Sequence, residues 1–208
     1  MVLMKKQQSA EVISEDQRKT PRDCASLAQM LEHADPTARR WAARDLVDCP
    51  QAAGALLARL WHEDDVSVRE VIFSTLTCLG SEEAVAGLVR CLRSDNASLR
   101  NEAIEGMKLL PDEVENIIAG LLHDADADVR ILAVNILESL RHPDVESWLI
   151  EVIENDPQVN VCGTAVDLLV EVGSVAARQP LLRLKARFPG EPYIQFAADL
   201  ALQRIVET

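Results

Sequence analysis

The hydrophobic side chains of this chain recur with a helical period from Cys24 onward, and the same pattern returns about every 30 residues. Each copy begins with an acidic or amide residue. Three residues follow, the last of which is apolar, and a polar residue ends the copy. That last residue, which we call the column position, is arginine in the first four copies. The copies are Asp35–Arg39, Asp65–Arg69, Asn96–Arg100 and Asp126–Arg130, followed by the weaker Asp156–Asn160 and Glu191–Gln195.

Apolar residues flank the column position at offsets that lie on one face of an α-helix. The residue before the column position is always apolar. The residue three positions after it is mostly small, and the residue seven positions after it is mostly leucine. The pattern therefore predicts an amphipathic helix in every copy. In the fifth copy the seventh residue after Asn160 is Asp167, and the apolar stripe moves to Leu168, so we expect a local irregularity there.

A second helix is predicted upstream of each of these, because apolar pairs four residues apart stand twelve and eight residues before the column position. The pairs are Leu27 and Leu31, Leu57 and Trp61, Leu88 and Leu92, Ile118 and Leu122, and Trp148 and Val152. One helical hairpin cannot bury its apolar side alone, whereas stacked hairpins share a continuous core. The sequence predicts an all-α protein, an α-solenoid of about six hairpins with a right-handed superhelix. It would form one domain over residues 23–208, after a polar, flexible tail at residues 1–22.

The pattern Asp-x-x-Val-Arg-x-x-Ala-x-x-x-Leu resembles the HEAT repeat, in the short-period form of the phycobilisome lyase-like proteins. The second and fourth copies match it best, over Asp65–Leu76 and Asp126–Leu137, and the resemblance extends over roughly residues 23–206. It implies a solenoid fold. Its implication for function is broad, because such repeats occur in scaffolds, adaptors, lyase subunits and a few enzymes.

The repeated acid and arginine are expected to form a structural ladder along the turns, which the HEAT resemblance also implies. The acid begins a helix and can accept hydrogen bonds from free backbone N–H groups, which stabilises the helix by about 1 kcal/mol. The arginine can reach its own acid or that of the neighbouring copy. The ladder residues are Asp35, Arg39, Asp65, Arg69, Arg100, Asp126 and Arg130. Because Asn160 and Gln195 replace arginine, Asp156 and Glu191 are expected to lack a partner; an anion-binding row of arginines is the functional alternative.

The net charge of −13 limits the classes of partner. Residues 1–22 carry five basic and three acidic side chains, so the remaining 16 basic and 31 acidic side chains give a net charge of −15. Phosphate backbones and anionic lipids are bound mainly by lysine and arginine, so we expect neither a nucleic-acid nor a membrane partner. The chain has neither an apolar run of about 18 residues nor a secretory signal, which favours the cytoplasm.

The five cysteines are odd in number and scattered, without a Cys-x-x-Cys pair. This spacing predicts reduced, packed thiols and neither disulfides nor a zinc site. No Ser/His/Asp or Cys/His set and no glycine-rich phosphate loop is evident. We therefore expect no catalytic residues, no metal and no cofactor.

A candidate partner-binding patch follows from a gradient along the second helices. The positions one and five residues after the column position are polar in the first copies and apolar in the last, on the side expected to line the concave face. The patch residues are Ile131, Leu132, Val161, Cys162, Phe196 and Leu200. Residues 102–171 hold sixteen acids against three basic residues, which favours a partner with a basic rim. Self-packing of the last repeats or a homodimer contact would explain the same apolar positions.

Two functional hypotheses result. The first is a non-enzymatic scaffold or adaptor, such as an assembly or maturation factor, that binds a partner protein on its concave face and is itself a monomer or weak homodimer. The second, from the resemblance, is a bilin lyase subunit of the phycobilisome type, or a factor that dismantles the antenna.

Overall fold

The computed structural model describes residues 23–207, and the predicted flexible tail at residues 1–22 lies outside them. The described residues form twelve α-helices and no β-strand. The helices are α1 (Cys24–Met30), α2 (Pro36–Asp45), α3 (Ala53–Leu60), α4 (Val66–Leu79), α5 (Glu82–Cys91), α6 (Ala97–Lys108), α7 (Pro111–Leu122), α8 (Ala127–Leu137), α9 (Val145–Asn155), α10 (Val159–Val172), α11 (Arg178–Arg187) and α12 (Pro192–Glu207).

Successive helices pair into six hairpins, and the hairpins stack side by side. The even-numbered helices contact one another in order from α2 to α12 and form one layer. In the second layer, α3 contacts α5, α5 contacts α7, and α9 contacts α11. A continuous core of mostly aliphatic side chains runs between the layers, from Leu27 in the first hairpin to Ile205 in the last. The predicted α-solenoid of helical hairpins is confirmed.

The second helices begin where the repeated acid or amide predicted them to begin. The side chains of Asp35, Asp65, Asn96 and Asp126 each accept a hydrogen bond of 2.9 Å from the backbone N–H two residues later. These side chains are therefore helix caps, each contributing about 1 kcal/mol. The end of α4 is set by Gly80, which has a φ of 52° in the left-handed region that glycine tolerates.

The fifth hairpin corrects the predicted alignment. Helix α10 runs without interruption past Leu168, so the irregularity expected there is absent. Its buried stripe contains Val161, Ala165 and Leu169, which places Cys162, and not Asn160, at the column position. The two extra residues therefore precede Asp156, and the connection between α8 and α9 spans residues 138–144, whereas two residues join α6 to α7. The Asp156 motif resembled a helix cap closely enough to hide this insertion.

A disulfide between Cys24 and Cys49 corrects the prediction that all five thiols are reduced. Cys24 is the first residue of α1, and Cys49 follows the short 3₁₀ turn Leu46–Asp48 that packs against α1, so their Cα atoms lie 5.9 Å apart. The other three cysteines are free. Cys91 is buried, and its burial raises the pKa of the thiol to about 11.

Candidate functional site

The four arginines at the column position fold back onto the turn of their own hairpin. In each case Nη1 donates to the carbonyl six residues earlier, at 2.9 Å for Arg39, 3.2 Å for Arg69, 2.6 Å for Arg100 and 2.8 Å for Arg130. These carbonyls lie between the two helices of the hairpin and would otherwise lack a donor. The residue that supplies this carbonyl, six before the column position, is called the turn position below.

Arg39 also reaches the turn position of the next hairpin, where it pairs with Glu63. Its Nε and Nη2 each lie 2.7 Å from a Glu63 carboxylate oxygen. Arg59 Nε donates to the same carboxylate at 2.8 Å, and the Asp65 N–H donates at 3.0 Å. Burial alone would raise the pKa of Glu63, whose side chain is fully buried, but the two arginines and the N–H hold that pKa at about 2.

Arg130 makes the equivalent pair with Asp156 across the junction between the fourth and fifth hairpins. Its Nε lies 2.6 Å from Asp156 Oδ2 and its Nη2 lies 3.0 Å from Oδ1. The hydrogen bond to Asp156 raises the pKa of the Arg130 guanidinium. The expectation that Asp156 would be unmatched was therefore wrong, because Asp156 occupies the turn position and not the cap position.

The junction between the second and third hairpins lacks this pair, because Ser94 occupies its turn position. The nearest carboxylate to Arg69 is that of Glu102, with Nε 3.8 Å from Oε2. Both of these atoms are buried without a hydrogen-bond partner. Burial raises the pKa of Glu102, with the Arg69 charge opposing that shift.

The fifth hairpin replaces its missing column arginine with Arg187 from α11. Arg187 donates to the backbone carbonyls of Glu154 and Asp156, the latter at 2.9 Å. Its Nη2 also lies 3.0 Å from the Cys162 sulfur. A guanidinium from the next hairpin thus binds the same turn, which alignment of the repeats did not reveal.

These contacts alter the predicted ladder while supporting its structural interpretation. All four ladder arginines bond to a turn carbonyl, and Arg39 and Arg130 also bond to a turn carboxylate. The cap acids Asp35, Asp65 and Asp126 accept from backbone N–H groups. Each side chain has a partner that stabilises a turn or a junction. The acid that pairs with arginine is therefore a different residue from the one that the repeat displays most clearly.

Two of the predicted patch residues, Val161 and Cys162, are fully buried. The prediction was wrong for both, because the column position of this copy is Cys162 and not Asn160, which places both residues on the side of α10 that faces the core. Ile131 and Leu132 are half-buried and pack against the core. Phe196 is 67% exposed and Leu200 is 43% exposed.

Tyr193 adjoins the exposed pair and was missed from the sequence. It is 55% exposed and precedes Phe196 by one helical turn, so Tyr193, Phe196 and Leu200 share one face of α12. We call these three residues the α12 patch. The Tyr193 ring packs over Gly163, where an added Cβ would lie 3.3 Å from it, and its hydroxyl donates to Asp167, which raises the pKa of the phenol. Their spacing of three and four residues was the signal that could have identified all three.

An acidic depression of about 220 Å³ adjoins this patch between α8 and α10. Its lining includes the carboxylates of Glu138, Asp167 and Glu171. Asp167 belongs to the depression and also contacts Tyr193, so the acidic and apolar surfaces meet at this residue. The arrangement offers an apolar anchor beside a negatively charged surface.

The described residues include no cluster of three or more His, Cys, Asp or Glu side chains that could hold a metal ion. His123 lies at the end of α7, where Nδ1 is 2.8 Å from the Ala119 carbonyl and Nε2 is 3.2 Å from Glu151. The Ala119 carbonyl, aided by Glu151, raises the pKa of His123. This geometry is that of a helix C-terminal cap. Between residues 23 and 207 no helix combines the length and the apolar character that a membrane span requires.

A family model of HEAT repeats matches residues 24–108 and 114–203. The chain belongs to the HEAT-repeat family. No curated protein matches it.

Among solved structures, the chain is similar to an archaeal HEAT-like repeats protein from Thermococcus onnurineus NA1, with 16% identity, a TM-score of 0.48 and coverage of 88% of this chain and 87% of that one. It is similar to an engineered protein at 19% identity and a TM-score of 0.42, covering 90% and 98% of the two chains. It is also similar to the complex of CpcE and CpcF of phycocyanin lyase from Nostoc sp. PCC7120, at 17% identity and a TM-score of 0.39, covering 95% and 99%.

Proposed function

We propose that this HEAT-repeat protein is a non-enzymatic scaffold or adaptor that binds a partner protein through its even-numbered helices, on the concave side of the stack. The contact would be centred on the α12 patch, with the half-buried Ile131 and Leu132 at its edge. The partner would carry an apolar anchor and a basic rim. The turn pairs would hold the stack in shape without touching the partner.

The observation that carries this proposal is the exposure of Phe196 beside Tyr193 and Leu200. Large apolar side chains that cluster on a surface mark interaction sites more often than scattered ones do. Aromatic residues are also enriched among those that dominate binding free energy. The neighbouring carboxylates of Glu138, Asp167 and Glu171 would favour a basic partner mainly through the association rate and specificity.

Affinity capture from the native host tests the proposal. The wild-type chain should retain one protein at constant stoichiometry, and Phe196→Glu and Leu200→Glu should each lose it. Leu182→Glu is the matched control, because Leu182 on α11 is also 43% exposed but lies outside the patch. Equal capture by wild type and Phe196→Glu would contradict the proposal.

A homodimer contact through the same patch gives a different result. In that case sedimentation of the purified wild-type chain would show a concentration-dependent dimer that Phe196→Glu abolishes. The sequence leads us to expect a monomer or a weak homodimer. A monomer would sediment in the same way with and without the substitution, and a weak homodimer would show a dimer only at high concentration.

The bilin lyase alternative rests on the sequence resemblance and remains a prediction. Its test is spectroscopic, since a chain that binds a bilin gains visible absorbance when the two are mixed. An absorbance change that is retained in Phe196→Glu would favour a lyase subunit over the scaffold proposed here.

A further inference from the structure

A groove of about 820 Å³ runs between α5 and α7, in the odd-numbered layer and away from the α12 patch. Its floor is apolar and is formed by Val85 and Val89 of α5 and by Ile117 and Leu121 of α7. Val85 and Leu121 are buried, whereas Val89 and Ile117 are half-buried and present part of their surface to the groove. The groove therefore offers apolar area that the chain's described residues leave accessible.

Small side chains keep this groove open. Ala86 and Gly120 line it, and a Cβ added at Gly120 would have nothing within 4 Å. The neighbouring interface between α3 and α5 is different, because Leu57 lies within 2.2 Å of the position that a Cβ on Gly87 would occupy. The space beside Gly87 is occupied by Leu57, whereas the space beside Gly120 is open.

The two ends of the groove differ in charge. At the N-terminal ends of the helices, Glu82 of α5 and Glu113 of α7 line the groove. At the other end Arg93 is paired with Asp124, so its positive charge is neutralised. A segment that fits the groove should therefore combine apolar side chains with positive charge at one end.

The first six residues of this chain have that chemistry. Met1, Val2, Leu3 and Met4 are apolar, and Lys5 and Lys6 follow directly. Residues 1–22 carry five basic and three acidic side chains, opposite in sign to the net charge of −15 on the rest. The seventeen residues from Lys6 to Arg22 can span roughly 55 Å when extended. The groove lies two to three helix spacings from α1, which is about 20 to 30 Å.

We propose that residues 1–6 dock into the groove between α5 and α7 of their own chain. The apolar residues cover Val89 and Ile117, and the two lysines lie beside Glu82 and Glu113. This inference is independent of the α12 patch, so failure of either proposal leaves the other standing.

Paramagnetic broadening in the full chain tests the docking. A spin label is placed at Gln8→Cys in a Cys78→Ser background, since Cys91 and Cys162 are buried. The methyl signals of Val89 and Ile117 should lose intensity, while those of Ile150 and Val170 keep theirs. Broadening centred on other methyls, or no selective broadening, would overturn the proposal.

Charge reversal separates docking from nonspecific proximity. Lys5→Glu combined with Lys6→Glu should remove the broadening, and adding Glu82→Lys and Glu113→Lys should restore it. Glu82 is exposed and Glu113 is half-buried, and the methyl spectrum itself reports whether each variant is folded. Broadening that is indifferent to charge would overturn the assigned orientation.

A mixed sample distinguishes the same chain from a second copy. Spin-labelled chains without isotope are combined with isotope-labelled chains without a spin label. Unaffected Val89 and Ile117 signals are expected. Broadening in this sample would assign the occupant to a second copy and contradict docking within one chain.

Discussion

The junction between the first and second hairpins and the junction between the second and third differ in one carboxylate. At the first, Arg39 makes a two-point pair with Glu63, in which each nitrogen–oxygen distance is 2.7 Å. At the second, the equivalent residue is Ser94, and Arg69 Nε is left buried without a partner. The arginine is the same in both, so the repeated motif alone does not determine whether a junction is satisfied.

The comparison shows that the cap position and the turn position of a repeat have separate roles. The acid that recurs most clearly, at Asp35, Asp65 and Asp126, caps a helix. The acid that pairs with the arginine stands two residues earlier and varies, as Glu63 and Asp156 illustrate. The free energy of unfolding should therefore depend more on the acid at the turn position than on the acid at the cap position.

Glu63→Gln should give the largest loss of stability. It removes the charge that pairs with Arg39 and Arg59, and breaking a buried pair on one side costs about 3 to 5 kcal/mol. Urea unfolding measures the change. Glu102→Gln is the control, because Glu102 Oε2 has no hydrogen-bond partner, and its loss should be less than about 1 kcal/mol. Equal losses for the two variants would contradict the difference between the junctions.

Acid should weaken the first junction in a defined pH range. The pKa of Glu63 falls from the ordinary 4.5 to about 2 on folding, so its contribution to the free energy of unfolding is complete above pH 4.5. It is lost as the pH falls through that range toward 2, by at most about 3 kcal/mol. Unfolding measured at pH 7 and pH 3 should show a smaller pH effect in Glu63→Gln than in wild type. The same pH effect in both would assign the acid sensitivity to other groups.

The disulfide is a further difference at the first junction. Cys24 and Cys49 are 25 residues apart in sequence, and closing a loop of that length stabilises a fold by about 2 to 4 kcal/mol. A reductant should lower the melting temperature of wild type and leave that of Cys24→Ser with Cys49→Ser unchanged. A wild type that is insensitive to reductant would show that the bridge adds no stability.

Ser94→Asp should repair the second junction and give the smallest effect. Aspartate at a turn position binds arginine at the fourth junction, where Asp156 pairs with Arg130. The new carboxylate should bond to Arg69 and add about 1 kcal/mol to the free energy of unfolding. Ser94→Ala is the control, which should lose stability because Ser94 accepts a hydrogen bond from the Asn96 N–H. A loss with both variants would contradict the repair.

The repeat pattern predicted the fold and the helix caps because both depend on local spacing. The pairing at Glu63 could not be predicted, since it depends on which turn faces which arginine after stacking. The fifth copy is two residues longer than assumed before Asp156, so Asp156 at the turn position was taken for a cap, and this shift placed Val161 and Cys162 on the wrong face. The contact from Arg187 and the Cys24–Cys49 bridge join residues 25 or more apart, which periodicity does not detect. The exposure of Phe196 and Leu200 was predicted correctly, because the alignment of α12 contains no such shift.

Parallel measurement of stability and partner capture for Phe196→Glu and Arg130→Ala tests the central claim, that a surface on α12 binds while the arginine pairs only support it. Phe196→Glu should keep the wild-type melting temperature and lose the captured partner. Arg130→Ala, assayed below its own melting temperature, should melt earlier and keep the partner. Loss of the partner in a folded Arg130→Ala, with capture intact in Phe196→Glu, would contradict the account.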